Sequence, residues 1–342
     1  MGSQNKTYQN VRQIAVVVEE GDALDFPADV LALKYAQRLH GVDFYAVQRL
    51  TPLRKGVRRL LPMISEFALV DSDGRIGART VLFVGVEPLR EFGYQQIRKF
   101  GRKVLVSLAG SAPETRHVCL TIHGPGYGLD EAEAFESEVA GLIDAITSGD
   151  FPARLEQITV VERNQACAER LRIILSRLLP GGRIQLDSMG NPQNLGGAPT
   201  ERLRDAGYAS ANRPHIFVAM PFAEEMDDTF HYGIQGAVNA AGFLCERADL
   251  SSFTGDVMEW VKKRITSATL VIADLSSANP NVYLEVGYAW GCGRPTVLLV
   301  KNTADLKFDV KGQRCLVYKK IKDLEESLQK ELETLNSSVR TR

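Results

Sequence analysis

The chain has 342 residues, enough for two domains of ordinary size, and 44% of them are hydrophobic. Its formal net charge is −1, so no overall charge directs it to nucleic acid or to an anionic membrane surface. No run of about 18 apolar residues occurs, which predicts that no helix spans a membrane. We therefore expect neither a membrane nor a nucleic acid among its partners.

The cysteines and histidines are scattered along the chain. There are 5 of each, with no C-x-x-C pair and no histidine at ligand spacing from a cysteine. A structural zinc site needs such close pairs, and an odd number of thiols is typical of a reducing compartment. The sequence therefore predicts a cytoplasmic protein with no metal site and no cofactor.

The first half of the chain alternates short β-branched runs with segments whose apolar residues have helical spacing. The predicted strands are 14–20, 30–35, 80–86, 117–124 and 158–162. The predicted helices are 94–110, 132–146 and 166–179. This alternation predicts a mostly parallel sheet covered by helices on both faces.

Residues 180–214 differ in composition from the rest. They are rich in Gly, Pro, Asn and Ser and have no clean period, apart from one short predicted helix near 201–206. This composition is typical of a linker between domains. We therefore divide the chain into an N-terminal α/β domain (11–180), a linker (181–213) and a C-terminal domain (214–336).

The second half restarts the alternation. The predicted strands are 215–220, 243–247, 269–273 and 295–301. The predicted helices are 228–242, 256–268, 282–293 and 323–335. About 120 residues with this pattern suffice for a five-stranded doubly wound domain.

Two carboxylates of the second half occupy conspicuous positions. Asp274 follows the predicted strand 269–273, at the edge where open parallel sheets bind their ligands. Glu285 stands near the start of the next helix, where the positive helix end favours an ionised carboxylate. We predict that Glu285 is a nucleophile toward a sugar's anomeric carbon and that Asp274, or another acid nearby, handles protons. The alternative is structural, with Glu285 serving the helix dipole and Asp274 serving as a cap.

Further polar and apolar side chains belong to loops at the same predicted edge. The predicted substrate-binding residues are Met220, Pro221, Phe222, Arg247, Asp249, Asp256, Asn279 and Asn281. Gly287 and Gly291, on the helix of Glu285, predict close packing of that helix on the sheet. Several carboxylates, amides and an arginine at one edge indicate a functional site.

Three segments of the second half carry a family resemblance. They read HIFVAMPF, AVNAAGFLCERAD and ITSATLVIADLSSANPNVYLEVGYAWGCGRPTVLL, and they cover about 90 residues in order. In these segments the chain resembles the nucleoside 2-deoxyribosyltransferase-like family, whose flavodoxin-like fold is shared by TIR-type NAD-cleaving domains. The resemblance implies that Glu285, which precedes G-Y-A, attacks C1′ of the sugar.

One position departs from the family pattern. Members with transferase activity carry an Asp six residues before the nucleophilic Glu, and here that position is Asn279. The form A-D-L-x-x-x-N-P-N-V is similar to a divergent subgroup associated with bacterial immunity and signalling. Hydrolysis, transfer and binding alone are all open for such a subgroup.

The N-terminal half carries a Gly-rich turn after a predicted strand. Gly124, Gly126 and Gly128, with Tyr127, lead into a helix, and such a turn presents backbone N–H groups to a phosphate. The spacing is not G-x-G-x-x-G, and a tight structural turn is the alternative. With the segment GDALDFPADVLAL, the turn resembles macro domains and the N-terminal domains of leucine aminopeptidases. The resemblance implies a nucleotide-derived ligand, such as ADP-ribose, over the turn.

Together these patterns predict an α/β protein with two doubly wound domains. The N-terminal domain is expected to be macro-like, and the C-terminal domain flavodoxin-like and deoxyribosyltransferase-like. The expected function is cleavage or transfer of an N-glycosidic bond in NAD or a nucleoside phosphate, in a bacterial anti-phage effector. The N-terminal domain would sense a nucleotide-derived signal or stabilise an assembly, and we expect a homo-oligomer. The alternative is a non-catalytic receptor for nucleotide-derived signals.

Overall fold

The computed structural model describes residues 12–51, 61–187, 189–195, 198–247 and 257–339. The chain folds into two compact units. The N-terminal unit comprises Met1–His123 and Ala132–Ala211, and the C-terminal unit comprises Gly124–Glu131 and Asn212–Arg342. The Gly-rich turn, which the sequence placed in the N-terminal domain, thus belongs to the C-terminal unit.

The N-terminal unit contains a seven-stranded sheet and five helices among its described residues. Its strands are β1 (Arg12–Glu20), β2 (Val30–Tyr35), β3 (Phe67–Asp71), β4 (Thr80–Gly85), β5 (His117–Leu120), β6 (Gln157–Glu162) and β7 (Arg183–Leu186). Its helices are α1 (Val42–Leu50), α2 (Tyr94–Ser111), α3 (Glu131–Thr147), α4 (Gln165–Leu178) and α5 (Ala198–Asp205). The first residue of α3 lies in the C-terminal unit.

The order of strands in this sheet is β3-β4-β2-β5-β6-β1-β7. The five central strands are parallel, and the two edge strands, β3 and β7, are antiparallel to their neighbours. The central strand β2 is buried along most of its length, as expected for a strand covered on both faces. The predicted mostly parallel sheet is therefore confirmed.

Strand β7 corrects the predicted linker. Residues 183–186 pair with β1 in antiparallel register, with Ile184 opposite Ile14, and their side chains alternate between exposed and buried. This period of two is the pattern of an edge strand, but four residues are too few to outweigh the surrounding Gly and Pro. Part of the segment 181–213 is therefore an element of the sheet.

Buried polar contacts attach the rest of that segment to α2 and α3. The guanidinium of Arg98 forms a bidentate pair with Asp144, at 2.7 and 2.8 Å, and donates to the carbonyl oxygens of Leu203, Arg204 and Ala206. These carbonyls lie in and just after α5, where a helix leaves acceptors without partners of its own. A single arginine of α2 therefore caps α5.

The C-terminal unit contains a five-stranded sheet. Its strands are β8 (His215–Ala219), β9 (Leu244–Glu246), β10 (Leu270–Asp274), β11 (Thr296–Val300) and β12 (Cys315–Val317). Its helices are α6 (Gly236–Ala240), α7 (Val257–Ser267), α8 (Pro280–Gly291) and α9 (Ile321–Val339), and a π-helix, Thr229–Gln235, runs directly into α6. All strand pairs are parallel, in the order β9-β8-β10-β11-β12.

Helices cover both faces of this second sheet. Alternate residues of β8 divide between the two faces: Ile216 and Val218 pack with α6, the π-helix and α9, whereas Phe217 and Ala219 pack with α7 and α8. In chain order the strands are arranged 2-1-3-4-5, so the direction of winding reverses between β8 and β10. Ligands of such sheets bind at the carboxyl edge, where the order reverses. Within the described part of the chain, no helix is both long and apolar enough to cross a membrane.

Candidate functional site

The carboxyl edge of the second sheet brings several predicted residues together. Met220 follows β8, Arg247 follows β9 and Asp274 ends β10. Nη1 of Arg247 lies 3.8 Å from the sulfur of Met220, so the loops after β8 and β9 meet. Two residues that the sequence analysis did not select, Lys301 after β11 and Tyr318 after β12, lie at the same edge.

Asp274 is fully buried, and both of its carboxylate oxygens are occupied. Oδ1 accepts the backbone N–H of Ser276 at 2.9 Å, and Oδ2 accepts the hydroxyl of Tyr318 at 2.5 Å. Burial and the neighbouring charge of Asp274 raise the pKa of Tyr318. Asp274 therefore ties β12 to the loop after β10, and this geometry supports the structural alternative over a role in proton transfer.

The loop between β10 and α8 is strained and then capped. Ser277 and Ala278 have φ angles of 63° and 49°, a region that costs non-glycine residues roughly 1–2 kcal/mol each. Asn279 is the N-cap of α8, and its side-chain oxygen accepts the N–H of Asn281 at 2.9 Å. Asn281 is exposed. The amide of Asn279 is therefore used within the chain, as a helix cap.

Glu285 lies in the second turn of α8, one turn later than the sequence predicted. The residue is only 8% exposed, and the described residues provide no hydrogen-bond donor or cation to its carboxylate. Burial raises the pKa of Glu285 to about 7. The helix end was expected to keep this carboxylate ionised, but its ionisation is weakened, because desolvation outweighs the helix dipole at this depth.

A cavity of about 130 Å³ lies at the tips of β8 and β9. Its walls are formed by Pro125, Leu129, Glu131, Phe222, Phe230, His231, Gln235 and Arg247. Phe222 and Arg247 were predicted from the sequence to bind substrate, and the structure brings them together here. Glu285 is not among the residues that line this cavity.

Arg247 forms one wall of the cavity and is held from several sides. Its guanidinium carbon lies 4.0 Å from the ring centroid of Phe222 and 4.4 Å from that of Phe230. Its Nη2 also donates to Asp227 at 3.3 Å. Because aromatic rings attract a guanidinium and the side chain is only 10% exposed, these contacts favour one position for this arginine.

Six lining residues were not predicted from the sequence, and three of them are Phe230, His231 and Gln235. They lie on the π-helix, in a segment that was predicted as an ordinary helix. An i→i+5 pattern aligns residues five apart, so Phe230 and Gln235 share a face that α-helical spacing would not give them. Gly233 and Gly236, two glycines within one helical segment, were the feature of the sequence that could have indicated an irregular helix.

The Gly-rich turn differs from the predicted phosphate cradle. The N–H groups of Tyr127 and Leu129 donate to the carbonyl of Gly124, and that of Gly128 donates to Pro125. A Cβ added at Gly128, where φ is 89°, would lie 2.5 Å from Trp260, whereas one added at Gly126 would meet nothing. The close approach therefore serves packing on Trp260, and these N–H groups are satisfied within the turn.

Other predicted positions are placed as follows. Asp249 and Asp256 lie outside the described residues. A Cβ added at Gly287 or Gly291 would face open space, so the prediction that these glycines allow close packing on the sheet is wrong. The apolar side chains of α8, rather than its glycines, face the sheet.

Two of the three aspartates of the segment GDALDFPADVLAL, Asp22 and Asp29, lie at opposite edges of the first sheet. Asp22 follows β1 at the carboxyl edge, where it forms an ion pair with Arg163. Asp29 precedes β2 at the amino edge, where it accepts the N–H groups of Arg116 and His117 at 2.9 and 3.0 Å. The two side chains therefore do not form one site.

Comparison with known proteins finds macrodomains among the solved structures, matched to the N-terminal part of the chain. The macrodomain of Oceanobacillus iheyensis, solved with MES bound, is 16% identical, with a TM-score of 0.38 over 50% of this chain and 94% of its own. The Trypanosoma brucei macrodomain in complex with ADP-ribose is 19% identical, with a TM-score of 0.39 over 47% of this chain and 69% of its own.

The macro domain of ganglioside induced differentiation associated protein 2 is 13% identical, with a TM-score of 0.36 over 47% of this chain and 83% of its own. No family model matches the chain. No curated protein matches it. The deoxyribosyltransferase-like character of the C-terminal unit therefore remains a prediction.

Proposed function

We propose that the C-terminal unit binds a nucleotide-derived molecule at its carboxyl edge and cleaves the N-glycosidic bond with Glu285. The observation that carries this proposal is the burial of Glu285 without a partner among the described residues. Buried carboxylates in folded proteins are normally paired, and an unpaired one with a shifted pKa is characteristic of a functional site.

The position of the cavity supports the proposal. The cavity lies at the tips of β8 and β9, and β10, whose loop leads to the helix of Glu285, is the other neighbour of β8. Neighbouring strands are about 4.8 Å apart, a span that a pentose can bridge. A base in the cavity would therefore leave its sugar near β10 and α8.

The chemistry follows from a carboxyl group that titrates near neutrality. Ionised Glu285 would attack C1′ as the bond to the base breaks, through an oxocarbenium-like transition state, and water would resolve the glycosyl-enzyme. With a pKa of about 7, the carboxylate is substantially populated at neutral pH. Because the ionised form reacts, kcat/KM is expected to rise as the pH is raised through about 7.

Binding without cleavage is the second candidate, and a specific observation favours it. The oxygens of Asp274 and the side-chain oxygen of Asn279 are both engaged within the chain. Asp274 therefore does not supply a second acid to protonate the leaving base, and Asn279, an amide, has no acidic proton to give. A receptor for a nucleotide-derived signal would need no such acid.

The proposal extends to the whole chain. We infer that the N-terminal unit, as a macro-like domain, controls the C-terminal unit in response to a nucleotide-derived signal, in a bacterial anti-phage effector. The macro-like and deoxyribosyltransferase-like resemblances of the sequence support this role. Calorimetry of the full chain with ADP-ribose tests the sensing step.

A screen for released base tests the enzymatic proposal. NAD and a set of nucleosides and nucleoside phosphates are incubated with the wild-type chain, and free base is measured by chromatography. Glu285→Gln is expected to abolish release, because the amide is nearly isosteric but cannot attack C1′. The exposed Glu225 provides the matched control, and Glu225→Gln should release base at the wild-type rate. Binding without release supports the receptor, and neither binding nor release contradicts both candidates.

A further inference from the structure

We propose that Gln235 reads the edge of a single six-membered heteroaromatic ring, such as a pyrimidine or a pyridine carboxamide, in the cavity of the C-terminal unit. The inference rests on the proposed function, since it names the base portion of the ligand. It adds a specificity-determining residue on the π-helix to the residues that the sequence analysis selected.

The volume of the cavity matches an occupant of one ring. A protein cavity of about 150 Å³ accommodates a benzene-sized molecule, and this cavity measures about 130 Å³. By the same comparison a two-ring purine needs a larger cavity than benzene does, and a complete nucleotide a larger one still. The sugar and any phosphates must therefore lie outside it, along the edge of the sheet.

Gln235 is positioned to recognise such a ring. The residue is 7% exposed and lines the cavity, and its Oε1 accepts the Nδ1–H of His231 at 2.9 Å. Its Nε2 has no acceptor among the described residues. With its oxygen anchored by His231, the amide has one orientation, in which its N–H groups remain for a carbonyl or ring nitrogen of the ligand.

The remaining walls favour an uncharged aromatic ring. Phe222 and Phe230 provide aromatic surface, and their contacts with Arg247 hold both rings in place. Arg247 and Glu131 contribute opposite charges to the lining, so the cavity does not favour a strongly anionic group. The π-helical register places Phe230 and Gln235 on one face, so one segment supplies both apolar contact and edge recognition.

Binding of free rings to the full-length chain tests the proposal. Nicotinamide, cytosine and uracil are titrated by calorimetry and ligand-observed NMR, with adenine as the two-ring comparison. At least one single-ring compound should bind more tightly than adenine. Gln235→Glu is nearly isosteric but presents an oxygen where Nε2 was. It should lower the affinity for that compound by about tenfold, which corresponds to about 1.4 kcal/mol.

Two further variants complete the experiment. Gln235→Leu removes the amide and should weaken binding similarly, whereas Tyr232→Phe, at an exposed neighbouring position, should leave the affinity unchanged. Circular dichroism establishes that each variant is folded. The proposal is overturned if no single-ring compound binds, if adenine binds equally well, or if Gln235→Glu changes the affinity by less than twofold. Because binding is measured without turnover, these outcomes are distinct from a failure to release base.

Discussion

Helix α3 in the N-terminal unit and helix α8 in the C-terminal unit both carry buried acids, and the two helices treat them differently. Glu136 of α3 pairs with Arg202, Glu138 lies 2.7 Å from the imidazole of His123, and Glu133 accepts from Gly207 and Ser210. On α8, Glu285 has no comparable partner among the described residues. Each of these acids of α3 therefore has at least one partner, although Oε2 of Glu138 has none among the described residues, whereas neither carboxylate oxygen of Glu285 has one.

The C-terminal unit contains its own example of a paired acid. Glu246, at the end of β9, is fully buried and accepts from Nε of Arg264 at 2.6 Å. Glu285 therefore differs from Glu246 not in being buried but in lacking a partner among the described residues. A buried charge without a partner is expensive to maintain, so its presence indicates a use other than stability.

The largest effect on stability is expected when the partner of a paired buried acid is removed. Arg98→Ala removes the partner of Asp144 and the cap of α5 together, and the side chain of Arg98 is only 6% exposed. We expect a loss of about 3–5 kcal/mol in the free energy of unfolding, measured by urea denaturation. Arg102→Ala, which removes an exposed ion pair from the same helix, should cost less than about 1 kcal/mol. Equal losses for the two variants would contradict the capping role.

A second prediction concerns the unpaired acid, Glu285, whose replacement is expected to increase stability rather than decrease it. The pKa of Glu285 rises from 4.5 to about 7 on folding, so the folded state binds the proton more tightly than the unfolded state. Its contribution to stability is therefore largest below pH 4.5 and is lost as the pH rises to about 7. By linkage, the loss amounts to at most about 3 kcal/mol.

Glu285→Gln should accordingly make the protein more stable than the wild type at pH 8, with a smaller gain or none at pH 4. Thermal unfolding at both pH values measures the difference. Glu225→Gln, at an exposed position, should show no such dependence on pH. A loss of stability at pH 8 in the Glu285 variant would indicate that the carboxylate has a stabilising partner after all.

A third prediction compares two glycines of one turn. Gly128 has a φ of 89° and packs against Trp260, so Gly128→Ala should destabilise the protein by about 1–3 kcal/mol. Gly126 is exposed, and its Cα faces open space, so Gly126→Ala should be neutral or slightly stabilising. Chemical denaturation of both variants tests whether packing accounts for the geometry of the turn. Similar costs at both positions would argue against this explanation.

The smallest effect is expected at the start of α8. Asn279→Ala removes the side-chain cap of the helix that carries Glu285 and should cost about 1 kcal/mol in the free energy of unfolding. Asn281→Ala, at an exposed position two residues later, should change stability by less than about 0.5 kcal/mol. If the Asn279 variant instead keeps full stability but loses affinity for nucleotides, the result would support the predicted role of Asn279 in substrate binding.

Much of the fold was predictable from periodicity. Strand β2 was predicted at its observed bounds, and helix α2 to within one residue, because each is a continuous buried element with a clear period. The edge strands β3 and β7 were missed. A short strand that is hydrogen-bonded on one side and partly exposed carries too few apolar residues to be distinguished from a loop.

For the candidate site, the sequence alone determined which residues stand at the carboxyl edge of the second sheet. The order of strand, loop and helix requires Phe222, Arg247 and Asp274 to lie there. Only the tertiary structure decided what each residue does at that edge. The hydroxyl of Tyr318, 44 positions later in the chain, donates a hydrogen bond to the carboxylate of Asp274. The burial that raises the pKa of Glu285 likewise depends on elements distant in sequence. Local patterns place a side chain at an edge, but long-range packing sets its partners, its exposure to water and therefore its charge.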